Sequence, residues 1–229
     1  MKLAVIIPVY NAENTIRKAV KSIDTTHDVE IICINDGSTD RTKQVLTELQ
    51  KEVKHLIVYH QDNQGAAKSR NMGLSAMSDD IDAFMFLDAD DQFLPGKMDQ
   101  MIQYYEKNEH LDIVIGQIGR GLNGDWKVIP THEDIHREAI VSLAEAPEIL
   151  QSIGPGGKLF KAKFNTLRFD EDVVFCEEHT FVTRAYLMAR DIQLVPFIVY
   201  GYNNREGSIT DQRADTFISY LEEIGRASC

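Results

Sequence analysis

Ala83-Phe84-Met85-Phe86-Leu87 runs without a polar residue into Asp88-Ala89-Asp90-Asp91. A short apolar run of this kind reads as a buried strand, and Gln92 through Pro95 reads as the turn after it. Near a strand end, side chains at i and i+2 point to the same side. Asp88 and Asp90 can therefore converge on one divalent cation. Mg²⁺ and similar hard ions are commonly held by one or two carboxylates plus the phosphates of a bound nucleotide. Taken alone, the pair reads more simply as solvated turn aspartates, and three other segments change that reading.

Upstream, the chain alternates strand and helix patterns. Leu3 to Val9 is a continuous apolar strand, as expected in a parallel sheet covered on both faces. Asn11 or Asn14 can cap the next helix, whose Ile16, Ala19, Val20 and Ile23 follow a helical stripe. A second strand, Glu30 to Ile34, ends in Asn35-Asp36-Gly37-Ser38-Thr39-Asp40, where a helix carrying Val45, Leu46 and Leu49 begins. Leu56 to Tyr59 is a third strand and Gly65 to Ala76 a third helix; Ala83 opens the fourth strand. A helix around Met98, Met101 and Ile102 leads to a fifth strand at Ile113-Val114-Ile115. This order predicts an α/β fold with a doubly wound, mainly parallel, Rossmann-like sheet.

Beyond Gly116 the pattern loosens. Trp126 to Ile129 reads as a short strand and Glu138 to Ser152 as helical, before Gly154-Pro155-Gly156-Gly157 breaks the chain. No repeat or linker marks a second independent unit. The expectation is one domain over 1–229, with a nucleotide-binding half at 1–115 and a half at 116–229 that folds onto the sheet and closes the site.

The formal net charge of -12, with 43% apolar and 26% charged residues, describes a globular protein and excludes a basic nucleic-acid-binding surface. No apolar stretch is long enough to span a bilayer. Met1-Lys2 runs straight into strand-like sequence with no cleavage site, which predicts a cytoplasmic chain. Cys33 sits inside an apolar run and reads as a buried hydrophobe; with Cys176 and Cys229 it forms neither a disulfide framework nor a zinc pattern.

Ligands of open α/β sheets bind at the carboxyl ends of strands. Pro8-Val9-Tyr10-Asn11, Asn35-Asp36-Gly37-Ser38 and Asp88-Ala89-Asp90-Asp91 all fall there. Each alone is explained by turn chemistry. Their shared rim implies a site for a nucleotide and a metal ion, with Gly37 leaving room for a base to approach Asp36.

These segments, with Asn63-Gln64-Gly65 and Ser69-Arg70-Asn71-Met72-Gly73, resemble the family 2 glycosyltransferases. Lys158-Leu159-Phe160, Glu177-Glu178-His179-Thr180-Phe181 and Tyr202 to Thr210 continue the resemblance, and Gly116 to Gly154 is unmatched. The resemblance implies a GT-A fold with a C-terminal acceptor-side subdomain, inversion at the sugar, and a nucleotide-sugar donor. It implies nucleotide contacts at Pro8, Tyr10, Asn11, Glu13, Asp36, Arg70, Asp88 and Arg205, with Asp36 facing the base. Asp90 would bind Mn²⁺ or Mg²⁺ directly, with Asp88 nearer the ribose and the metal's waters. A carboxylate at Asp36 accepts from a uracil N3–H, which favours a UDP-sugar.

Inversion by direct displacement needs one general base. The family's acidic pair places it at Glu178, where the commoner residue is Asp, with Glu177 as the other candidate. The acceptor is expected to be a cell-surface polysaccharide or lipid-linked glycan, with peripheral membrane association through it. Two other readings stay open: a nucleotidyltransferase that makes nucleotide sugars, and a non-catalytic nucleotide-sugar-binding domain. The first usually carries a Gly-rich, basic loop after its first strand, which Pro8 to Glu13 lacks; the second is suggested by Glu178.

Overall fold

Leu3, Val5 and Ile7 face one side of the first strand and Ala4 and Ile6 the other, and all five are fully buried. A strand apolar on both faces needs a layer on each, and the computed structural model, which describes residues 1–122, 124–173 and 177–203, supplies both. Strands β1 (Lys2–Val9), β2 (Asp28–Asp36), β3 (Leu56–Gln61) and β4 (Ala83–Phe86) are parallel neighbours in the order β3-β2-β1-β4. Helices α1 (Ile16–Lys21), α2 (Thr42–Glu52) and α3 (Ala66–Ala76) make the returns.

The second half extends the same sheet. After β5 (Gln92–Phe93) and α4 (Lys97–Lys107) come β6 (Ile113–Leu122), β7 (Asp125–Val128), β8 (Ala139–Val141), β9 (Lys158–Lys161), α5 (Glu177–Met188) and β10 (Ile192–Asn203). β9 inserts antiparallel between β4 and β6, and β10 lies parallel to β6. β6 runs through residue 115, so one sheet, of ten strands among the described residues, crosses both halves of the chain. Buried residues of α1, α2 and α4 pack on one face with Leu3, Val5 and Ile7, and those of α3 and α5 on the other. No helix among the described residues is long and apolar enough to cross a membrane.

Two local expectations are corrected. Gln92 and Phe93 are not only turn: they form β5, antiparallel to Tyr200 and Gly201 of β10. Glu138 to Ser152 is not a helix. Ala139, Ile140 and Val141 pair with Leu194, Gln193 and Ile192, and Pro147 starts a 3₁₀ turn, Pro147–Gln151. β-branched residues beside an open strand edge pair with it, and a mid-segment proline cannot continue an α-helix.

Where α3 crosses β1, a Cβ added at Gly73 would lie 2.3 Å from Ile6 Cγ2, so the missing side chain sets how closely helix and sheet approach. The break at Gly154–Gly157 is held from beneath. Fully buried Lys158 donates from Nζ to Ser152 Oγ (2.8 Å), Gly154 C=O (2.5 Å) and Gly156 C=O (3.4 Å). Ser152 Oγ in turn meets His132 Nε2 at 2.9 Å, and His132 Nδ1 faces Gly116 C=O at 3.2 Å. Burial pushes Lys158 down to about 7, and burial followed by the Lys158 charge pushes His132 down to about 3.

Candidate functional site

The carboxyl ends of β1, β2 and β4 meet in a cleft of about 260 Å³, lined by Pro8, Val9, Tyr10, Ala12, Asp36, Ala66, Ser69, Arg70, Asp88, Ala89 and Asp90. Six of the residues singled out from the sequence, namely Pro8, Tyr10, Asp36, Arg70, Asp88 and Asp90, thus share one concavity. Tyr10 is half exposed above it, at 51%. A larger cleft of about 680 Å³, lined in part by Gln61, Lys68, Asn71, Arg168 and Arg184, contains, among the described residues, none of the candidate nucleotide, metal or base residues. The smaller one is the functional candidate, because strand ends and carboxylates converge there.

Asn11 and Glu13 take a different place. Neither lines the cleft; they stitch the loop after β1 to the loop after β2. Asn11, at φ 45°, accepts the Thr39 N–H at 2.8 Å and donates its own N–H to Ser38 Oγ at 3.0 Å. Glu13 Oε2 accepts the Arg41 N–H at 2.9 Å and its Nε at 3.1 Å, while Asp40 accepts the N–H of Glu13 and of Thr42. The stitch fixes the floor on which Pro8 and Tyr10 stand.

Asp36 is buried, with 4% exposure, and its carboxylate is already engaged. Oδ1 accepts from the Gln61 amide (2.7 Å) and the Gln64 N–H (2.8 Å), and Oδ2 from the Gly65 N–H (2.8 Å). Gln61 and these two amides are partners the sequence reading missed; the Asn63-Gln64-Gly65 motif was their only signal. Gly37 also has a structural partner of its own. It sits at φ 68°, and a Cβ there would lie 2.6 Å from the Asn63 backbone nitrogen. A close approach that needs glycine is made here by the Asn63 backbone.

Arg70 comes from α3 and reaches the acidic turn. Its side chain is only 6% exposed, while that of Asp88 is 42% exposed, and Nη2 donates to Asp88 Oδ1 at 3.0 Å. The guanidinium also lies 5.4 Å from the Phe169 ring centroid. Asp91 is buried behind this pair. Burial first, then the charges of Asp88 and Asp90, pushes its carboxyl up to about 8. The charges of Asp88 and Asp90, crowded on one turn, are ones a cation would offset. Among the described residues no group of three or more His, Cys, Asp and Glu forms a ready metal cage. The donor set fits the sparser arrangement, two hard carboxylates open to a cleft where a ligand's phosphates complete the shell.

Glu178 lies near the described start of α5 and is partly buried. Phe181, three residues on, packs edge-on to Phe86 at 5.6 Å and stacks on Phe169 at 4.4 Å. Phe86 is two residues before Asp88, and Phe169 supports Arg70. One aromatic cluster therefore anchors the helix bearing Glu178 and the turn bearing Asp88 and Asp90. The Glu177 side chain, Cys176 and Arg205 lie outside the described residues.

The family model described as Glycosyl transferase family 2 matches residues 4–175. The chain is 37% identical over 228 residues to the Staphylococcus aureus protein TagX, itself assigned only provisionally as a glycosyltransferase, covering 98% of this chain and 64% of TagX. It is 28% identical to poly(ribitol-phosphate) beta-glucosyltransferase of Bacillus spizizenii, over 98% of this chain and 36% of that protein. The crystal structure of S. aureus TarS residues 1–349 with UDP-GlcNAc superposes with a TM-score of 0.78 at 24% identity, covering 91% of this chain and 60% of that one. The chain thus spans less than two thirds of the length of these relatives.

Proposed function

The chain belongs to the family 2 glycosyltransferases, and on that premise we propose that it transfers a sugar, with inversion, from a UDP-sugar to a cell-wall polysaccharide or lipid-linked acceptor. The observation that carries the reading is the single cleft holding Pro8, Tyr10, Asp36, Arg70, Asp88 and Asp90 at the strand ends. The donor class is supported by the TarS likeness, whose structure holds UDP-GlcNAc, and the acceptor class by the name of the B. spizizenii relative. On this reading the enzyme works in the cytoplasm, at the inner face of the membrane where a lipid-linked acceptor would be presented.

Each residue then has a chemical task. Tyr10 offers a ring and Asp36 an acceptor to the base. Arg70 is a cation at the diphosphate end, and its bond to Asp88 holds that carboxylate in place. Asp90, with Asp88, would hold Mn²⁺ or Mg²⁺, which when bound stabilises negative charge on the departing diphosphate. Glu178 takes the proton from the acceptor hydroxyl as its oxygen bonds to the anomeric carbon. The carbon–oxygen bond to the diphosphate breaks, and its electron pair leaves with the nucleotide.

The test is release of UDP from a panel of UDP-sugars with and without a poly(polyol-phosphate) acceptor, for wild type and two variants. Asp90→Asn should lose most activity while the fold survives. Glu178→Gln should keep donor binding but slow transfer by roughly a hundredfold or more, the usual scale for a lost general base. Full transfer in excess EDTA would remove the metal from this scheme, and wild-type transfer by Glu178→Gln would move the base elsewhere.

A further inference from the structure

Tyr200 is buried in β10, 112 residues beyond Asp88, and its phenol is spent on the acidic turn. The hydroxyl accepts the Asp88 N–H at 3.1 Å and donates to Asp91 Oδ2 at 2.8 Å. Asn203, at the end of the same strand, adds two bonds: its N–H donates to Asp91 Oδ1 at 3.0 Å, and its Nδ2 to the Asp90 C=O at 2.7 Å. Within the turn, the Asp91 N–H closes on the Asp88 C=O at 3.0 Å. The Tyr200 ring packs edge-on to Phe93 at 5.9 Å and lies so close to Gly156 that a Cβ there would be 3.1 Å away. Packing alone would be served by phenylalanine; a fully buried hydroxyl persists where it has partners, and both of these partners belong to the turn.

We propose that Tyr200 is a positioning residue which, with Asn203, holds the Asp88–Asp91 turn in its ligand-ready shape by clamping it to β10. Resting on the function proposed above, this assigns Asp91 a role distinct from its neighbours. Asp88 and Asp90 face the cleft, whereas Asp91 is the buried anchor gripped from β10. Because β10 also pairs with β5, directly after the turn, the turn is held at both its centre and its exit.

Tyr200→Phe removes the hydroxyl and keeps the ring, so it separates clamping from packing. Amide hydrogen exchange at Asp88, without ligand, should accelerate by roughly tenfold, the scale of one lost hydrogen bond. Calorimetric affinity for UDP in saturating Mn²⁺ should fall by a similar factor, while far-UV circular dichroism stays that of wild type. Asn203→Ala should act in the same direction, and it decides the matter if Tyr200→Phe fails to fold. Unchanged exchange, or faster exchange with unchanged UDP affinity, overturns the proposal. If wild type binds no UDP yet Asp88 exchange responds to Tyr200→Phe, the clamp stands and the functional reading fails. If wild type binds UDP and both variants match it, the reading stands and the clamp fails.

Discussion

Asp36 accepts three hydrogen bonds, one from the Gln61 side chain at the end of β3 and two from amides of the loop after it, which leaves room for about one more, since an ionised carboxylate offers about four acceptor sites. It therefore shapes that loop and can still meet a uracil N3–H. Asp36→Asn disturbs both tasks, because Oδ1 and Oδ2 each accept a loop amide and one of them becomes a donor; the base preference tells the two tasks apart. UDP affinity should drop by roughly tenfold while CDP is much less affected, as expected when a single polar pairing is reversed. Calorimetry with both nucleotides checks this; equal losses for UDP and CDP would leave Asp36 with its loop role alone. Asn11 and Glu13 make the same point from the other side. They occupy a family motif beside the cleft, yet their side chains hold Thr39 and Arg41 rather than facing it.

At the scale of elements, the contact between α3 and β1 sets the geometry of the site. α3 carries Ser69 and Arg70 to the cleft wall, and its distance from the sheet is set by Gly73 against Ile6. Ile6 is a β-branched residue with no exposure, so it has no open space into which to swing. Gly73→Ala should cost roughly 1–3 kcal/mol, the range for overpacking a filled core, and should also lift Arg70 away from Asp88. Urea denaturation gives the first effect and weakened UDP binding the second. Unchanged stability would mean that α3 can slide on the sheet without loss.

For the whole molecule, the buried Lys158–Ser152–His132 network makes stability depend on pH. His132 titrates near 6.5 in the unfolded chain and is pushed to about 3 when folded, by burial and by the Lys158 charge. Between those values the unfolded state holds the extra proton, so this group's contribution is present above pH 6.5. It is lost as pH falls, by about 1.4 kcal/mol per unit. Lys158, pushed from 10.5 to about 7 by burial, works in the same sense over a higher window, its contribution rising as pH climbs from about 7 to 10.5. His132→Gln should flatten the acid slope relative to wild type. The check is the difference between the two proteins' denaturation free energies across the window from 6.5 to 3. Parallel curves would show that His132 takes up its proton in the folded state as well.

Local patterns in the sequence determined the parallel half of this protein. Apolar runs on both faces specify covered strands, helical stripes specify the returns, and turn residues at strand ends place Pro8, Asp36, Asp88 and Asp90 on one rim; none of these signals needs a distant partner. Cys33 as a buried thiol was legible for the same reason. What the tertiary structure alone decided depends on residues far apart in the chain. The pairing of Ala139–Val141 with β10 turned an expected helix into a strand, and the approach of Asn63 gave Gly37 its reason. Nothing in the sequence sets Asp91 apart from Asp88 and Asp90; only the arrival of β10 brings Tyr200 to within 2.8 Å of it. A buried hydroxyl or a backbone amide leaves no periodicity in the sequence, so its partner is fixed only when the sheet closes.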